Sequence, residues 1–376
     1  MKIKFLPFLN DNDGKLWREK LENEFMSQQE VKDITKEINE LRNSKPDILK
    51  TYDEKYKNSA PAERKKVLRE KESVSTPEVV DYYKRLRSLK EERQQNWIKY
   101  LMNRVAEVFE QKLIKLKDDE KEKSKTTIVA ALPEFFWCDI NDNAKHSDRS
   151  DIINYQKPIY INNIASIFCA ENEISKLTKD YPNLIFFAGT VKWKVPVNED
   201  RSQEDTYNTL FIYNSGDLPI MWGKHHFSAI DGFSSVNFRY TGLNVKREVF
   251  DIKSGGEIKG GHPKITFNGI DFVYDICLDF ISNKDGFAGG PLSKDICSNI
   301  SLNNPVNVLI AGGMWFYNNT AALNAVANMP SEVVLRCDAN ADNRGCNSEI
   351  YCKSGGNILN KKIANDFIGD MEINIP

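Results

Sequence analysis

The sequence predicts a mixed α/β (α+β) protein with a long helical region close to its N-terminus. Two observations support this prediction. Residues 15 to about 117 are rich in Glu, Lys, Arg, Leu and Gln and contain no glycine, which is typical of helices. From residue 126 onward, short apolar runs rich in β-branched and aromatic residues recur, and helical stretches separate some of them.

The overall composition indicates a globular protein without a nucleic-acid partner. A chain of 376 residues with 40% hydrophobic residues can bury a sizeable core in one large domain with an extra module, or in two domains. The formal net charge is only −2. Residues 1–125 hold 30 Lys and Arg against 25 Asp and Glu, and so small an excess on a long helical segment is typical of a solvated surface.

The cysteines and the start of the chain indicate a reducing compartment. Seven cysteines are an odd number in a long chain and do not form the pattern of a disulfide scaffold. The first apolar patch is short and is interrupted by Pro7, unlike a secretory signal, and no window of about 18 apolar residues occurs. We expect a cytoplasmic protein with no membrane partner. A signal for a specialised secretion system need not be visible at this level.

The first elements in chain order are a strand and several helices. "KIKFLPFL" predicts a short strand, and the prolines at 46, 61 and 77 are expected to punctuate the helices that follow it. In the first helical stretch, an apolar set at 3-4-3 spacing indicates one buried helix face; it comprises Val31, Ile34, Ile38 and Leu41.

A long helix is expected from Pro77 to Leu116. In "STPEVVDYY", Ser75 or Thr76 can cap the helix and Pro77 suits its first turn. An apolar stripe at helical spacing continues the pattern through Ile98, Leu101, Met102, Val105, Phe109 and Leu113. A helix of about forty residues is roughly 60 Å long, so part of it must leave the globular body.

Three polar residues follow apolar strands at points where chemistry is feasible. Glu134 comes just after "TIVAALP", and a half-desolvated carboxylate suits general-base work. Lys224 follows the hairpin "NTLFIYNSGDLPIMWG", and a fixed ammonium can stabilise an oxyanion. Cys277 directly follows "GIDFVYDI", and a thiolate is a strong nucleophile beside a base or cation. Taken singly, such residues are usually a surface glutamate, a solvated lysine and a small core thiol.

Taken together and in this order, the three stretches resemble the nitrilase or carbon–nitrogen hydrolase superfamily. The resemblance rests on "LPEFF", "NTLFIYNSGDLPIMWGKHH" and "GIDFVYDICLDF", and "LIFFAGT" is similar to the family's strand between the glutamate and the lysine. It covers roughly residues 126–320, the opening strand and the helix near 96–117. We therefore expect residues 1–14 and 96–376 to form a nitrilase-like catalytic domain, and residues 15–95 to be an inserted helical hairpin or short coiled coil.

The resemblance implies a four-layer αββα sandwich, a homo-oligomer, and hydrolysis of a small-molecule amide without a cofactor. Glu134 would take the proton of Cys277, which attacks the carbonyl or nitrile carbon. Lys224, with the backbone N–H of Leu278, would hold the oxyanion, and Glu134 would later activate water to hydrolyse the thioester. Amides rank above nitriles because most branches of the family cleave amides.

The chain also departs from the family pattern. Many members carry a second glutamate between the lysine and the cysteine; Glu248 is the best candidate here and Asp231 the fallback. The enlarged loop "SAIDGFSSVNFRYTGLNV" indicates restricted substrate access. Phe135 and His225, which follow two of the predicted catalytic residues, are expected to line the substrate pocket together with Leu278.

Other kinds of site explain the sequence less well. A Cys277–His262 dyad leaves the glutamate and the lysine unexplained. Cys337, Cys346 and Cys352 lack the spacing of zinc ligands, so we expect no metal. "GFAGGPLS" lacks the phosphate-loop pattern and is expected to be a mobile loop after the nucleophile.

A second hypothesis belongs to a different class of function. The chain could be a binding or scaffold protein on a nitrilase-like fold that acts through its helical insertion. Residues 15–95 would then be the surface that binds a protein partner.

Overall fold

A computed structural model shows a protein with two main β-sheets and eight helices in the residues that it describes. These residues are 1–8, 12–116, 126–134, 136–137, 159–160, 171–196, 204–224, 263–283, 286–287, 290–312, 320–338, 348–353, 358–359 and 368–375. The predicted mixed α/β class is confirmed.

Five helices occupy the first third of the chain, and prolines set where three of them begin. They are α1 (Asn12–Ser27), α2 (Gln29–Asn43), α3 (Asp47–Asn58), α4 (Pro61–Glu72) and α5 (Pro77–Ile114). Pro46 directly precedes α3, while α4 and α5 each begin with proline, as expected where a missing N–H costs nothing. Thr76 caps α5 by accepting a hydrogen bond from the Val79 N–H.

Helix α5 confirms the predicted unbroken helix. Its 38 residues span about 57 Å. Every member of the predicted apolar stripe from Ile98 to Leu113 is buried. Despite its length α5 is not apolar enough to cross a membrane, and neither is any other helix in the described part of the chain.

The N-terminal half of α5 packs with α2 and α3 in two small apolar clusters. Ile34 and Ile38 of α2 contact Leu89 of α5. Arg85 forms an ion pair with Glu37 at 2.6 Å and Asn96 donates to Glu30 at 3.4 Å, so the two helices run antiparallel. A further cluster joins α3 to the start of α5 and consists of Leu49, Val79 and Tyr82. The predicted boundary at residues 95 and 96 falls inside α5, and the division into insertion and catalytic domain stays a prediction.

The first sheet has the order β15-β1-β2-β4-β5-β6, with β3 beside β4. Strands β1, β2 and β4 are parallel, and β5 and β6 each reverse direction, so β2 and β6 end at the same edge. The strands are β1 (Lys2–Pro7), β2 (Thr126–Ala131), β3 (Ile159–Tyr160), β4 (Leu184–Pro196), β5 (Glu204–Asn214), β6 (Ile220–Gly223) and β15 (Met371–Asn374).

The second sheet has the order β14-β13-β12-β11-β8-β7, and its parallel strands β8, β11 and β12 also end at one edge. Its strands are β7 (Lys264–Phe267), β8 (Ile270–Ile276), β11 (Val306–Ala311), β12 (Val333–Asp338), β13 (Glu349–Cys352) and β14 (Ile358–Leu359). The remaining elements are the small sheet of β9 (Ser282–Asn283) and β10 (Gly286–Phe287), and the helices α6 (Glu173–Asp180), α7 (Leu292–Ile296) and α8 (Thr320–Asn328).

Neighbouring side chains of β4 alternate between contacts with the second sheet and contacts with helix α5. Phe187 of β4 meets Phe272 and Tyr274 of β8 with ring centroids 6.1 Å apart, whereas its neighbour Phe186 meets Phe109 of α5 at 4.7 Å. In the second sheet, β11 likewise alternates between the core shared by the sheets and a cluster with α8. These contacts support the predicted four-layer order, which itself stays a prediction.

Candidate active site

A buried ion pair joins two of the predicted residues. Glu134 lies three residues beyond the end of β2, and Lys224 directly follows β6. Lys224 Nζ donates to Glu134 Oε1 at 2.7 Å, and the two side chains are 0% and 1% exposed. At such depth an ion pair depends on further hydrogen bonds to offset the cost of desolvating both charges.

A bulge in β4 explains how these residues meet. Strands β4 and β5 lie between β2 and β6, which would separate their ends by about 14 Å at ordinary strand spacing. The pairing of β4 with β5 is irregular between Phe187 and Thr190, and here the chain beyond β2 remains bonded to β4. The Trp137 N–H donates to the Thr190 carbonyl at 3.4 Å, and the Trp137 ring N–H donates to the Ala188 carbonyl. The segment that carries Glu134 is thereby held against β4.

Gly189, at the centre of this bulge, allows the close approach. It adopts φ +66°, and a Cβ built on it would lie 2.4 Å from the Pro133 carbonyl oxygen, the residue before Glu134. No side chain fits at that distance, and L-residues rarely adopt that φ. The position of the glutamate therefore depends on a glycine of β4 that lies 55 residues later in the sequence.

Asn208 of β5 completes the arrangement, although it was not predicted from the sequence. Its Nδ2 donates to Glu134 Oε1 at 2.8 Å, and its backbone carbonyl accepts from the Lys224 N–H at 2.8 Å. Asn208 is fully buried. Asparagine is depleted in strands, so an asparagine in the middle of a predicted strand was the available signal.

Cys277 lies at the end of β8 in a strained backbone conformation. It adopts φ +47° and begins a single 3₁₀ turn, Cys277–Phe280, with its side chain half-buried. Positive φ is uncommon for residues other than glycine, and such outliers cluster at functional sites. Leu278 follows in the first turn, where backbone N–H groups have no partner within the helix.

Strand pairing brings the end of β8 to the ion pair. Ile276 pairs with Ile310 of β11, so Cys277 lies opposite Ala311, and the Ala311 carbonyl accepts from the Glu134 N–H at 3.2 Å. Trp222 of β6 also contacts Tyr274 of β8, with ring centroids 6.0 Å apart. Glu134, Lys224 and Cys277 thus each lie just beyond the end of a strand, and Glu134 and Lys224 are in direct contact.

Behind Cys277, a buried acid ties β8 to the next helix. Asp275 accepts hydrogen bonds from the backbone N–H and the hydroxyl of Ser293 in α7. Burial raises the pKa of Asp275 to about 7, against the lowering effect of these two bonds, and the nearby Asp279 raises it further.

The segment "GFAGGPLS", which was expected to be a loop, is in part helical, because its last two residues begin α7.

The other described cysteines have the character of core thiols. Burial raises the pKa of Cys297 to about 12, and it raises the pKa of Cys337, whose Sγ donates to the carbonyls of Phe8 and Ala131. Cys352 is half-buried, and burial raises its pKa as well. Exposure alone therefore does not distinguish Cys277 from Cys352. The backbone conformation and the neighbours of Cys277 distinguish it.

Several predicted residues lie outside the described part of the chain. They are Phe135, His225, Asp231, Glu248, His262 and Cys346. Their predicted roles stay predictions.

Comparisons with known proteins give similarity at the level of solved structures. The chain is similar to a CN-hydrolase superfamily protein from Xanthomonas campestris that has an arsenic adduct in its active site, with 10% identity over 72% of this chain and 83% of that one, at a TM-score of 0.40. It is also similar to a glutamine-dependent NAD+ synthetase from Acinetobacter baumannii, in complex with ADP (11% identity, 74% of this chain and 43% of that one, TM-score 0.40).

A second glutamine-dependent NAD+ synthetase, from Cytophaga hutchinsonii, has 8% identity, 74% and 40% coverage and a TM-score of 0.35. The chain therefore spans less than half the length of either synthetase. No protein-family model and no curated protein matches the sequence. The similarity found is to solved structures alone, and these include a CN-hydrolase superfamily protein.

Proposed function

We propose that this protein is a carbon–nitrogen hydrolase of the nitrilase superfamily that cleaves a small-molecule amide through a thioester on Cys277. The observation that most supports the proposal is the buried contact of 2.7 Å between Lys224 and Glu134 at the edge where β8 ends. A buried ion pair adds little stability compared with well-packed apolar residues, so a chemical role explains it better than a structural one.

The first half of the reaction forms the thioester. Oε1 of Glu134 already accepts bonds from Lys224 and Asn208, so we assign proton transfer to Oε2. Oε2 takes the thiol proton as Cys277 Sγ attacks the carbonyl carbon, and the carbonyl π electrons move to oxygen. Lys224 Nζ and the Leu278 N–H stabilise this oxyanion. As the oxyanion collapses, the C–N bond breaks and Glu134 gives its proton to the departing nitrogen.

The second half regenerates the enzyme. Glu134 takes a proton from a water molecule, which attacks the thioester carbon. When the second oxyanion collapses, the C–S bond breaks, the carboxylic acid leaves and the sulfur regains the proton from Glu134. The net reaction is amide and water to acid and amine, and every residue returns to its starting charge.

Alkylation kinetics test this proposal without a known substrate. Each cysteine is followed by mass spectrometry during reaction with iodoacetamide, and Cys352 is the comparator because it too is half-buried. We expect Cys277 to react at least about tenfold faster than Cys352, and Glu134→Gln to remove most of that advantage. If Cys277 reacts no faster than Cys352, the proposal fails.

The substrate can be sought by the same route. Incubation with a metabolite extract, followed by mass spectrometry of the Cys277 peptide, would reveal a trapped acyl group. Cys277→Ala is expected to abolish turnover of any amide identified in this way. Unchanged turnover in that variant would contradict the proposal directly.

A further inference from the structure

We propose that Asn208 recognises the nitrogen side of the substrate: its Oδ1 accepts an N–H of the scissile amide, while its Nδ2 holds Glu134. The site would then prefer substrates whose leaving group bears an N–H over esters of the same shape. This inference rests on the proposed function and extends it to a substrate class.

The Nδ2 group of Asn208 has its hydrogen-bond partner in the ion pair. Nδ2 donates to Glu134 Oε1, and the backbone carbonyl of the same residue accepts from the Lys224 N–H. Asn208 is therefore a positioning residue that is bonded to both members of the pair. Since the carboxylate oxygen accepts from the amide, the amide group must present Nδ2 to Glu134 and turn Oδ1 elsewhere.

The other half of this amide group has no role within the described residues. Oδ1 of Asn208 is completely buried and accepts no hydrogen bond from any of them. Buried side-chain carbonyls in native proteins are nearly always bonded, and an exception calls for an explanation. Because Nδ2 and Oδ1 belong to one planar group, this oxygen lies beside the Glu134 carboxyl, where the substrate is expected to bind.

In the proposed reaction the leaving group is a nitrogen, and the Oδ1 acceptor can orient it. Glu134 must place a proton on the lone pair of the substrate nitrogen as the C–N bond breaks. An acceptor beside the carboxyl fixes one N–H and so turns the lone pair toward the acid. An ester oxygen has no N–H to offer and would leave Oδ1 buried without a partner, which costs affinity.

Two alkylating probes of nearly the same shape test the inference. N-methyl-2-iodoacetamide and methyl iodoacetate differ in an N–H that replaces an oxygen. The rate of each at Cys277 is divided by its rate with glutathione, which removes the intrinsic difference in reactivity. We expect the normalised rates of the wild-type protein to favour the amide by about tenfold, the value of one net hydrogen bond.

Variants separate recognition from general damage. In Asn208→Leu, which keeps the branching and the number of side-chain heavy atoms but removes both polar atoms, the amide preference is expected to fall to about 1. In Asn208→Asp, which keeps an acceptor, the preference should remain although both probes react more slowly. Asn307→Leu is the control: Asn307 is a buried asparagine of β11 that is bonded to Ser331, and its loss should leave the preference unchanged.

The outcomes distinguish the two proposals. A wild-type preference near 1, or an undiminished preference in Asn208→Leu, overturns the role of Asn208 while the reactivity of Cys277 relative to Cys352 stands. If Cys277 reacts with both probes no faster than Cys352, the proposed function fails and this inference with it. Should Asn208→Leu not fold, the wild-type preference alone decides.

Discussion

Lys224 Nζ lies 2.7 Å from Glu134 Oε1, although two strands separate the strands that precede these residues. The contact exists because the chain after β2 stays bonded to β4 at the bulge instead of turning away. Local backbone geometry at one glycine therefore decides whether the proposed base and the proposed oxyanion-binding cation can meet.

Gly189→Ala should disrupt the site more than an equally strained substitution elsewhere. The added Cβ would meet the Pro133 carbonyl at 2.4 Å, in addition to the cost of φ +66°. Gly269→Ala is the control, because its φ is +76° but its nearest contact would be a methionine side-chain atom at 3.8 Å.

We expect Gly269→Ala to lower the free energy of unfolding by about 1 kcal/mol and Gly189→Ala by clearly more, with slower alkylation of Cys277 only in the latter. Urea denaturation and the iodoacetamide assay measure both effects. Equal losses in the two variants would show that contact with Pro133 is unimportant.

Removal of one member of the ion pair should lower the free energy of unfolding strongly, whereas replacement of both members should lower it little. Lys224→Met leaves the Glu134 carboxylate buried beside an apolar side chain, and we expect a loss of about 3–5 kcal/mol in the free energy of unfolding. Adding Glu134→Gln removes the uncompensated charge, so the double variant should regain most of that stability without regaining Cys277 reactivity. A double variant as unstable as Lys224→Met would contradict this account.

Asp275 should make stability depend on pH in a definite direction. Its pKa is about 7 in the folded protein and its ordinary value is 3.8, so between these pH values the folded state holds a proton that the unfolded state has released. The contribution of Asp275 to stability therefore falls as the pH rises from about 4 to about 7 and is constant above that.

Asp275→Asn removes this titration while keeping a group that can bond to Ser293. The stability of the variant relative to wild type should therefore rise over the same pH window, as measured by urea denaturation at several pH values. Taking the difference between the two proteins cancels the contributions of other carboxyl groups, Glu349 among them. A difference that does not change with pH would rule out the assigned cause.

A second buried charge cluster predicts unequal effects of two substitutions. Arg336 bonds Asp338 at 2.9 Å and Glu349 at 3.0 Å, and all three side chains are fully buried. Burial raises the pKa of Glu349 to about 7, although Arg336 lowers it. Near pH 7, Glu349→Gln therefore removes a group that is already partly neutral.

Arg336→Met leaves two acids without their cation, and we expect it to lower the free energy of unfolding by about 3–5 kcal/mol. The loss in Glu349→Gln should be clearly smaller. Thermal and urea denaturation of the two variants make the comparison. The reverse order would mean that Glu349 is fully charged in the folded protein.

The elements of the fold were largely predictable because their signals are local. Prolines at 46, 61 and 77 determine where three helices begin, and the stripe from Ile98 to Leu113 needed only its spacing to indicate a buried face. Glu134, Lys224 and Cys277 could be placed at strand ends because each follows an apolar run of strand length.

The features that hold the site together were not predictable in this way. In the sequence, Gly189 is simply a glycine within a strand, and its importance is seen only when the chain beyond β2 is known to pass close to it. Asn208 is likewise only a polar residue within a strand until β6 is known to lie beside it. Asp275 needed Ser293, eighteen residues later, to define its surroundings. Each depends on which strands and helices become neighbours, and pairing between distant segments leaves no periodic mark in the sequence.

Helix α5 belongs to two cores at once. Its first half holds α2 and α3 through Leu89, Val79 and Tyr82, and its second half covers the first sheet through Phe109, which touches Phe186. Phe186 lies three residues before Gly189. One helix therefore joins the clusters formed with α2 and α3 to β4, the strand whose bulge holds the proposed base.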